Sequence, residues 1–340
     1  MKLASKVLRE IVSADPELAV CWMASDGVEA IAKCAQELPD IVLMDLAMPN
    51  LNGVDATRQI MAKTPCPILI VTSTVDGHMG MVFDAMGAGA VDVTTTPVVG
   101  DQRGLDSGLV LRRKILALHQ LHRAAQRVAR QDLHRATQTP KRLISGVCDL
   151  PPLLAIGAST GGPAALAVLL EHLPPQFPAA ILIVQHIDSA FAEGLVSWLD
   201  SRTALAVALA RRGEVVRAGR VLVCDSTEHL VLEAGGVVNY VAEPRAALHC
   251  PSINRFFNSV AVHAPPGSQG VLLTGMGRDG AEGLLAMRQA GFFTIAQDQK
   301  SSVVYGMPKV AAELLAASRV ASLADIALHF KLAFKESDAS

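Results

Sequence analysis

The sequence predicts an α/β protein built from two doubly wound parallel sheets in succession. Three observations carry this expectation. Short runs of Val, Ile, Leu and Ala alternate with helical patterns along most of the chain, the pattern of parallel strands covered by helices. Of the 340 residues, 51% are hydrophobic and only 4% aromatic, a composition suited to buried parallel strands. The alternation is interrupted once, where Arg127, Arg130, His134 and Arg135 accumulate and Thr139-Pro140 break a helical pattern. We therefore expect domains at 1–123 and 150–335 joined by a linker at 124–149, its basic residues forming a solvated face.

Composition narrows the function classes. A formal net charge of −2 gives no electrostatic case for nucleic acid. No apolar run approaches the roughly 18 residues of a membrane span, so no membrane insertion is expected. The first residues lack the apolar core of a signal peptide. Cys21, Cys34, Cys66, Cys148, Cys224 and Cys250 are scattered without a Cys-x-x-Cys pair. They read as small core residues in a reducing cytoplasm.

In the first half, 2–13 reads as a helix with Leu3, Val7, Leu8 and Ile11 on one face. Leu18–Met23 is strand-like. Asp26–Glu37 is helical, with Val28, Ile31 and Ala32 expected inside. Ile41-Val-Leu-Met44 is an apolar strand that delivers Asp45 to its carboxyl end. Val54–Lys63 is a helix, Pro67–Thr72 a strand, Val82–Ala88 a helix and Ala90–Thr95 a short strand. Leu109–Ala129 is again helical. In open parallel sheets function gathers at the carboxyl ends of strands, where Asp45 and Thr72 stand.

The second half is organised around Leu153-Leu-Ala-Ile-Gly157-Ala-Ser159-Thr160-Gly-Gly-Pro163. An apolar strand runs into a glycine-rich turn with a serine in it, and a helix-forming run follows. Such a turn holds a hydroxyl where helix-start N–H groups can face a bound oxygen. A phosphate-cradling loop or a plain tight turn would look the same. Ala179–Gln185 is a strand ending in His186, and Phe191–Ser201 a helix. Val215–Asp225 is a turn and strand, with a β segment at Thr227–Leu232. Ser252–Val262 is helical. Gly270–Thr274 is a strand whose glycine loop carries Met276 and Asp279. Ala281–Ala290 is a helix, Phe293–Gln297 a strand, and a closing helix begins near Lys309.

Three parallel strands thus present Ser159, His186 and Asp279 on one sheet edge, as a nucleophile–base–acid relay requires. Singly, His186 reads equally as a structural histidine and Asp279 as a helix N-cap. No metal-ligand spacing is present.

Leu43-Met-Asp45-Leu-Ala-Met-Pro49 with Gly53, Ile70-Val-Thr72-Ser and Gly87-Ala-Gly-Ala-Val-Asp-Val resemble a response-regulator receiver domain. That resemblance implies Asp45 as phospho-acceptor and Thr72 as the hydroxyl that senses the phosphoryl group. Receivers also have a first strand ending in an acidic pair that holds Mg²⁺, and a lysine where this chain has Thr96. Both are missing here, which leaves Asp45 as the sole candidate Mg²⁺ ligand and a docking module as the alternative role. The absent strand would lie between Leu18–Met23 and Ile41–Met44. We expect the encoding DNA to continue in frame upstream for about ten residues.

Gly157-Ala-Ser-Thr-Gly-Gly-Pro163, Val184-Gln-His186, Leu273-Thr-Gly-Met-Gly277-x-Asp279-Gly-Ala281 and Tyr305-Gly-Met-Pro308 resemble the CheB protein-glutamate methylesterases. The resemblance implies Ser159 as nucleophile, His186 as base, Asp279 as orienting acid, and the backbone N–H groups of Thr160 and Met276 at the oxyanion. It implies a methyl-accepting chemoreceptor as substrate, a chemosensory histidine kinase as phosphodonor, and no cofactor for the ester chemistry. A possible glutaminase activity and a receiver that gates the site follow from the same likeness. Residues 64–71 and 82–90 resemble the branch serving Wsp-type surface-sensing pathways. A non-catalytic receptor- or kinase-binding regulator and a serine esterase with another substrate remain alternatives; the Ser…His…Asp order departs from the usual α/β-hydrolase order.

Overall fold

The computed structural model describes residues 2–72, 79–97, 108–119, 150–225, 227–242 and 250–334. It contains two compact units, Met1–Asp132 and Leu133–Ser340. The expected linker at 124–149, with its basic residues, lies outside the described residues.

The first unit contains α1 (Lys2–Ser13), α2 (Gly27–Gln36), β1 (Val42–Met44), α3 (Gly53–Lys63), β2 (Ile68–Thr72), α4 (Met79–Gly87) and β3 (Asp92–Thr95), followed by α5 over 108–119. The sheet order is β1-β2-β3, all parallel, with Met44 opposite Ile70 and Thr72 opposite Thr95. Ile68 through Ile70 are completely buried, as strands covered on both faces should be. Asp26 and Asn52 cap α2 and α3 by accepting the N–H groups of Glu29 and Asp55, each such cap contributing about 1 kcal/mol. The Asp15–Arg112 ion pair, at 2.6 Å, ties the end of α1 to α5.

Two expectations fail in this unit. Leu18–Met23 forms no strand. A cavity of about 560 Å³ lies alongside, lined by Leu18, Val20, Trp22, Leu43 and Asp45 among others. With that space between this run and β1, no ladder of hydrogen bonds can form, and β1 pairs only with β2. Side bonds hold the run instead: Trp22 Nε1 donates to the Glu37 carbonyl at 2.9 Å and Lys33 to that of Met23. In α2 the buried face is Gly27, Ala30 and Cys34, while Val28 is 57% exposed and Ala32 also faces out. Gly27 abuts Leu51 and Ala56 so closely that a side chain would collide, so the helix turns its small face inward.

The second unit is a seven-stranded parallel sheet of order β12-β11-β10-β4-β5-β7-β6, plus an antiparallel hairpin, β8-β9. The strands are β4 (Leu153–Ala158), β5 (Ala180–Gln185), β6 (Ala206–Leu209), β7 (Arg220–Val223), β8 (His229–Glu233), β9 (Val237–Val241), β10 (Gln269–Leu272), β11 (Phe293–Gln297) and β12 (Arg319–Ala321). The helices are α6 (Gly162–Glu171), α7 (Ala192–Asp200), α8 (Ile253–His263), α9 (Ala281–Gln289), α10 (Met307–Glu313) and α11 (Leu323–Ala333). The single closing helix expected near Lys309 is thus two helices separated by β12.

Every residue of β4 and β5 is buried. Phe256 and Phe257 of α8 are fully buried in the same core as Leu153 and Leu182, each contributing roughly 1.5–3 kcal/mol by burial. From β4 the chain builds outward through β5, then returns to lay β10 on the other flank of β4. The order therefore reverses between β4 and β10, and such a reversal opens a crevice at the carboxyl ends of the strands.

Candidate active site

The three central strands, β10-β4-β5, each lead into one expected site residue. Ser159 follows β4 directly. Its N–H donates to the Thr274 carbonyl at 3.0 Å and its carbonyl accepts from Gly162 at 2.7 Å, closing a tight turn into α6. Gly161 adopts φ 76° there, a left-handed conformation that side chains resist. Pro163 sits in the first turn of α6, where its missing N–H has no cost. Ser159 is 9% exposed and Thr160 5%.

His186 follows β5, its N–H bonded to the Ala158 carbonyl at 2.9 Å. Just before it, Gln185 is buried, and its Nε2 donates to the carbonyls of Ser159 and His186 at 2.8 and 3.0 Å. One amide thus straps the serine turn to the histidine. Among the described residues Gln185 Oε1 finds no donor. It fills the space that a side chain at Gly162 would need.

Asp279 lies on the loop after β10, and its Oδ2 is 2.9 Å from His186 Nε2. That bond engages Nε2 of the ring. The N-cap position of α9 belongs to Gly280, not to Asp279. The Asp279 carboxylate is held mainly by the start of α8: it accepts the N–H groups of Ile253 at 2.7 Å and Asn254 at 3.0 Å, and the Ser252 hydroxyl at 3.1 Å. Gly280 N–H adds a bond of 3.0 Å. Burial pushes this carboxyl up, but the bond and charge of His186 and the N–H groups of Asn254 and Ile253 outweigh it, bringing it down to about 2.

This shift has a sign for stability. A carboxyl depressed from its ordinary 3.8 to about 2 stabilises the fold above pH 4, and that contribution is lost as pH falls through 2. The stability advantage of the wild type over Asp279→Asn should therefore shrink by roughly 2 kcal/mol between pH 5 and pH 2. Urea unfolding at the two pH values measures this, and a gap independent of pH would contradict it.

Met276 follows Gly275, whose backbone packs against the Cβ of Ser159 and the thioether of Met307. Gly275 N–H donates to Val304, and its carbonyl accepts from Gly306 and Met307. Thr274, completely buried, bonds to the carbonyls of Thr160 and Val304. The loops bearing Thr160 and Met276 are therefore fastened to each other beside the serine. Such rigid backbone is what oxyanion stabilisation needs.

In the first unit, Asp45 follows β1 and accepts the Ala47 N–H at 3.3 Å. Thr72 ends β2, the neighbouring strand, and is buried. Among the described residues no three metal-ligating side chains gather. Asp26 is committed to Glu29 N–H and Asn50. Among the described residues, no helix is long and apolar enough to cross a membrane.

Comparison with known proteins follows this geometry. Residues 154–330 match the CheB methylesterase family and residues 2–103 the response regulator receiver domain. The chain belongs to the CheB methylesterase family. A curated relative from Bordetella avium, named protein-glutamate methylesterase/protein-glutamine glutaminase 1, is 48% identical over 98% of this chain and 95% of its own length. One from Pseudomonas putida with the same activity in its name is 49% identical over 96% of this chain and 95% of its own. The crystal structure of the Thermotoga maritima CheB methylesterase catalytic domain is 33% identical. It covers 53% of this chain and 97% of its own, with a TM-score of 0.51. The CheB-like fold is thus the second unit, and the receiver-like half belongs to the same family's arrangement.

Proposed function

We propose that this chain hydrolyses glutamyl methyl esters on the cytoplasmic helices of a chemoreceptor and releases methanol, as the adaptation arm of a chemosensory pathway. The observation that carries this is the convergence of Ser159, His186 and Asp279 from three adjacent strands, with His186 and Asp279 bonded at 2.9 Å. Ser159 Oγ attacks the ester carbonyl while His186 takes its proton. The oxyanion forms between the backbone N–H groups of Thr160 and Met276, each such donor lowering the barrier by ~3 kcal/mol. His186 returns the proton to the departing methoxide. Water then enters, gives a proton to His186 as it attacks the acyl carbon, and His186 passes that proton to Ser159 Oγ as the glutamate leaves. A glutamine side chain follows the same course with ammonia as leaving group. Every step is acyl or proton transfer between these groups, and the mechanism as written draws on no cofactor.

The test is to incubate the full chain with a receptor carrying tritiated methyl esters and count volatile methanol. Release is expected. No release would favour a receptor- or kinase-binding regulator, and turnover of small esters alone would favour another esterase.

In this reading the receiver is the regulatory input, with Asp45 as acceptor, Thr72 as sensor and a chemosensory histidine kinase as phosphodonor. No metal-assisted step is drawn, and a docking module is the alternative role of this unit. A receiver that covers the crevice gives a measurable result: a fragment starting near Leu153 should release methanol faster than the full chain. Equal turnover by a folded fragment would assign the receiver to docking. The likeness of residues 64–71 and 82–90 to the Wsp-type branch points to a surface-sensing pathway.

A further inference from the structure

We propose that His229, outside the Ser159–His186–Asp279 relay, is a positioning residue that holds the acid of that relay through the start of α8. The proposal rests on the reading of Asp279 as orienting acid. His229 opens β8, a hairpin strand outside the parallel sheet, and is 1% exposed. Its Nδ1 accepts the backbone N–H of Ser252 at 3.0 Å. A backbone N–H can only donate, so Nδ1 is the acceptor in this bond.

Ser252 is the link. Its N–H goes to His229 and its hydroxyl to Asp279 Oδ1 at 3.1 Å, and the next two N–H groups, of Ile253 and Asn254, also bind Asp279. The same hydroxyl caps α8 by accepting from Arg255 N–H. Asn254 Oδ1 in turn accepts the Gly283 N–H at 2.8 Å and locks this end of α8 to α9. The path runs His229, Ser252, Asp279, His186 without a gap. An acid that orients a base must itself be fixed, because small errors in angle at the base reach the nucleophile. His229 fixes Ser252, which contacts Asp279 through its side chain.

Two polar substitutions of similar size separate this role from bulk packing. In His229→Asn the side-chain oxygen falls where Nδ1 stood and can accept the Ser252 N–H. In His229→Gln it falls one atom farther out. Methanol release by the full chain should show kcat lowered ~10-fold in His229→Gln with KM nearly unchanged, and restored to within about threefold in His229→Asn. In an Asp279→Asn background, His229→Gln should cost nothing further, since it acts through the carboxylate.

Equal kcat in the two variants, or an undiminished loss in the Asp279→Asn background, would overturn the proposal. If His229→Gln does not fold, Ser252→Ala cuts the same path and should also lower kcat ~10-fold; an unchanged kcat there would equally overturn it. Failure of the underlying reading looks different: Asp279→Asn alone would then retain full activity.

Discussion

Ser159→Ala releases no methanol above background and keeps its fold: that is the expected result with the largest effect. The change removes one oxygen from a side chain that is 9% exposed. The turn that carries it is held by backbone bonds to Thr274 and Gly162 and by the Gln185 amide, none of which uses the hydroxyl. The fold therefore survives while the attacking atom is gone. Asp279→Asn should leave a residual activity on the order of 10⁴-fold below wild type, because the base then loses its correct tautomer. Scintillation counting of volatile label, with circular dichroism as the fold control, reads both. Full activity in folded Ser159→Ala would remove the serine from the chemistry.

The second large effect is expected from a single methyl group. In Gly275→Ala the new carbon would stand 2.5 Å from the Met307 Sδ and 2.7 Å from the Ser159 Cβ. The methionine end is flexible and can swing away. The serine Cβ cannot move without taking Oγ with it, and the Gly275 backbone is pinned by Val304, Gly306 and Met307. The clash is therefore relieved by displacing the nucleophile relative to Thr160 and Met276. A shift approaching 1 Å costs about 100-fold in rate, and the overpacking costs about 1–3 kcal/mol in stability. We expect kcat to fall by about that factor with KM nearly constant. A wild-type kcat would mean that the turn relaxes away from the serine.

The placement of Ser159, His186 and Asp279 was legible because parallel strands force their carboxyl ends to one edge. Ser159 and His186 follow β4 and β5 at once, and Asp279 follows β10 on a short loop. Period and strand-end chemistry were enough for these. They were not enough for Leu18–Met23, whose strand character needs a neighbour that the cavity beside β1 replaces. Nor did they find β6, β9 or β12. These are short hairpin or outer strands, and β6 and β12 have exposed residues that blur the apolar signal. Val28 was misplaced because the packing of α2 is decided by how closely Gly27 can approach, which hydrophobic periodicity does not register. The cradle of Asp279 was invisible for another reason. Ser252 looks like an ordinary helix cap and His229 like a stray histidine, and only the return of α8 to the β10 loop joins them. The Cys250-Pro251 bond before that helix is cis, which no composition rule would have suggested.

The fit between Gln185 and Gly162 bears on how this enzyme can change over generations. A larger residue at 162 collides with the Gln185 amide oxygen. A shorter residue at 185 makes room for it but releases the Ser159 and His186 carbonyls that the amide straps. Either single step passes through an impaired enzyme. Descendants can leave this pair only by altering both positions at once, or by first acquiring another strap across the two strands. Neutral drift, free to sample the exposed faces of the helices, is closed at this point of the crevice.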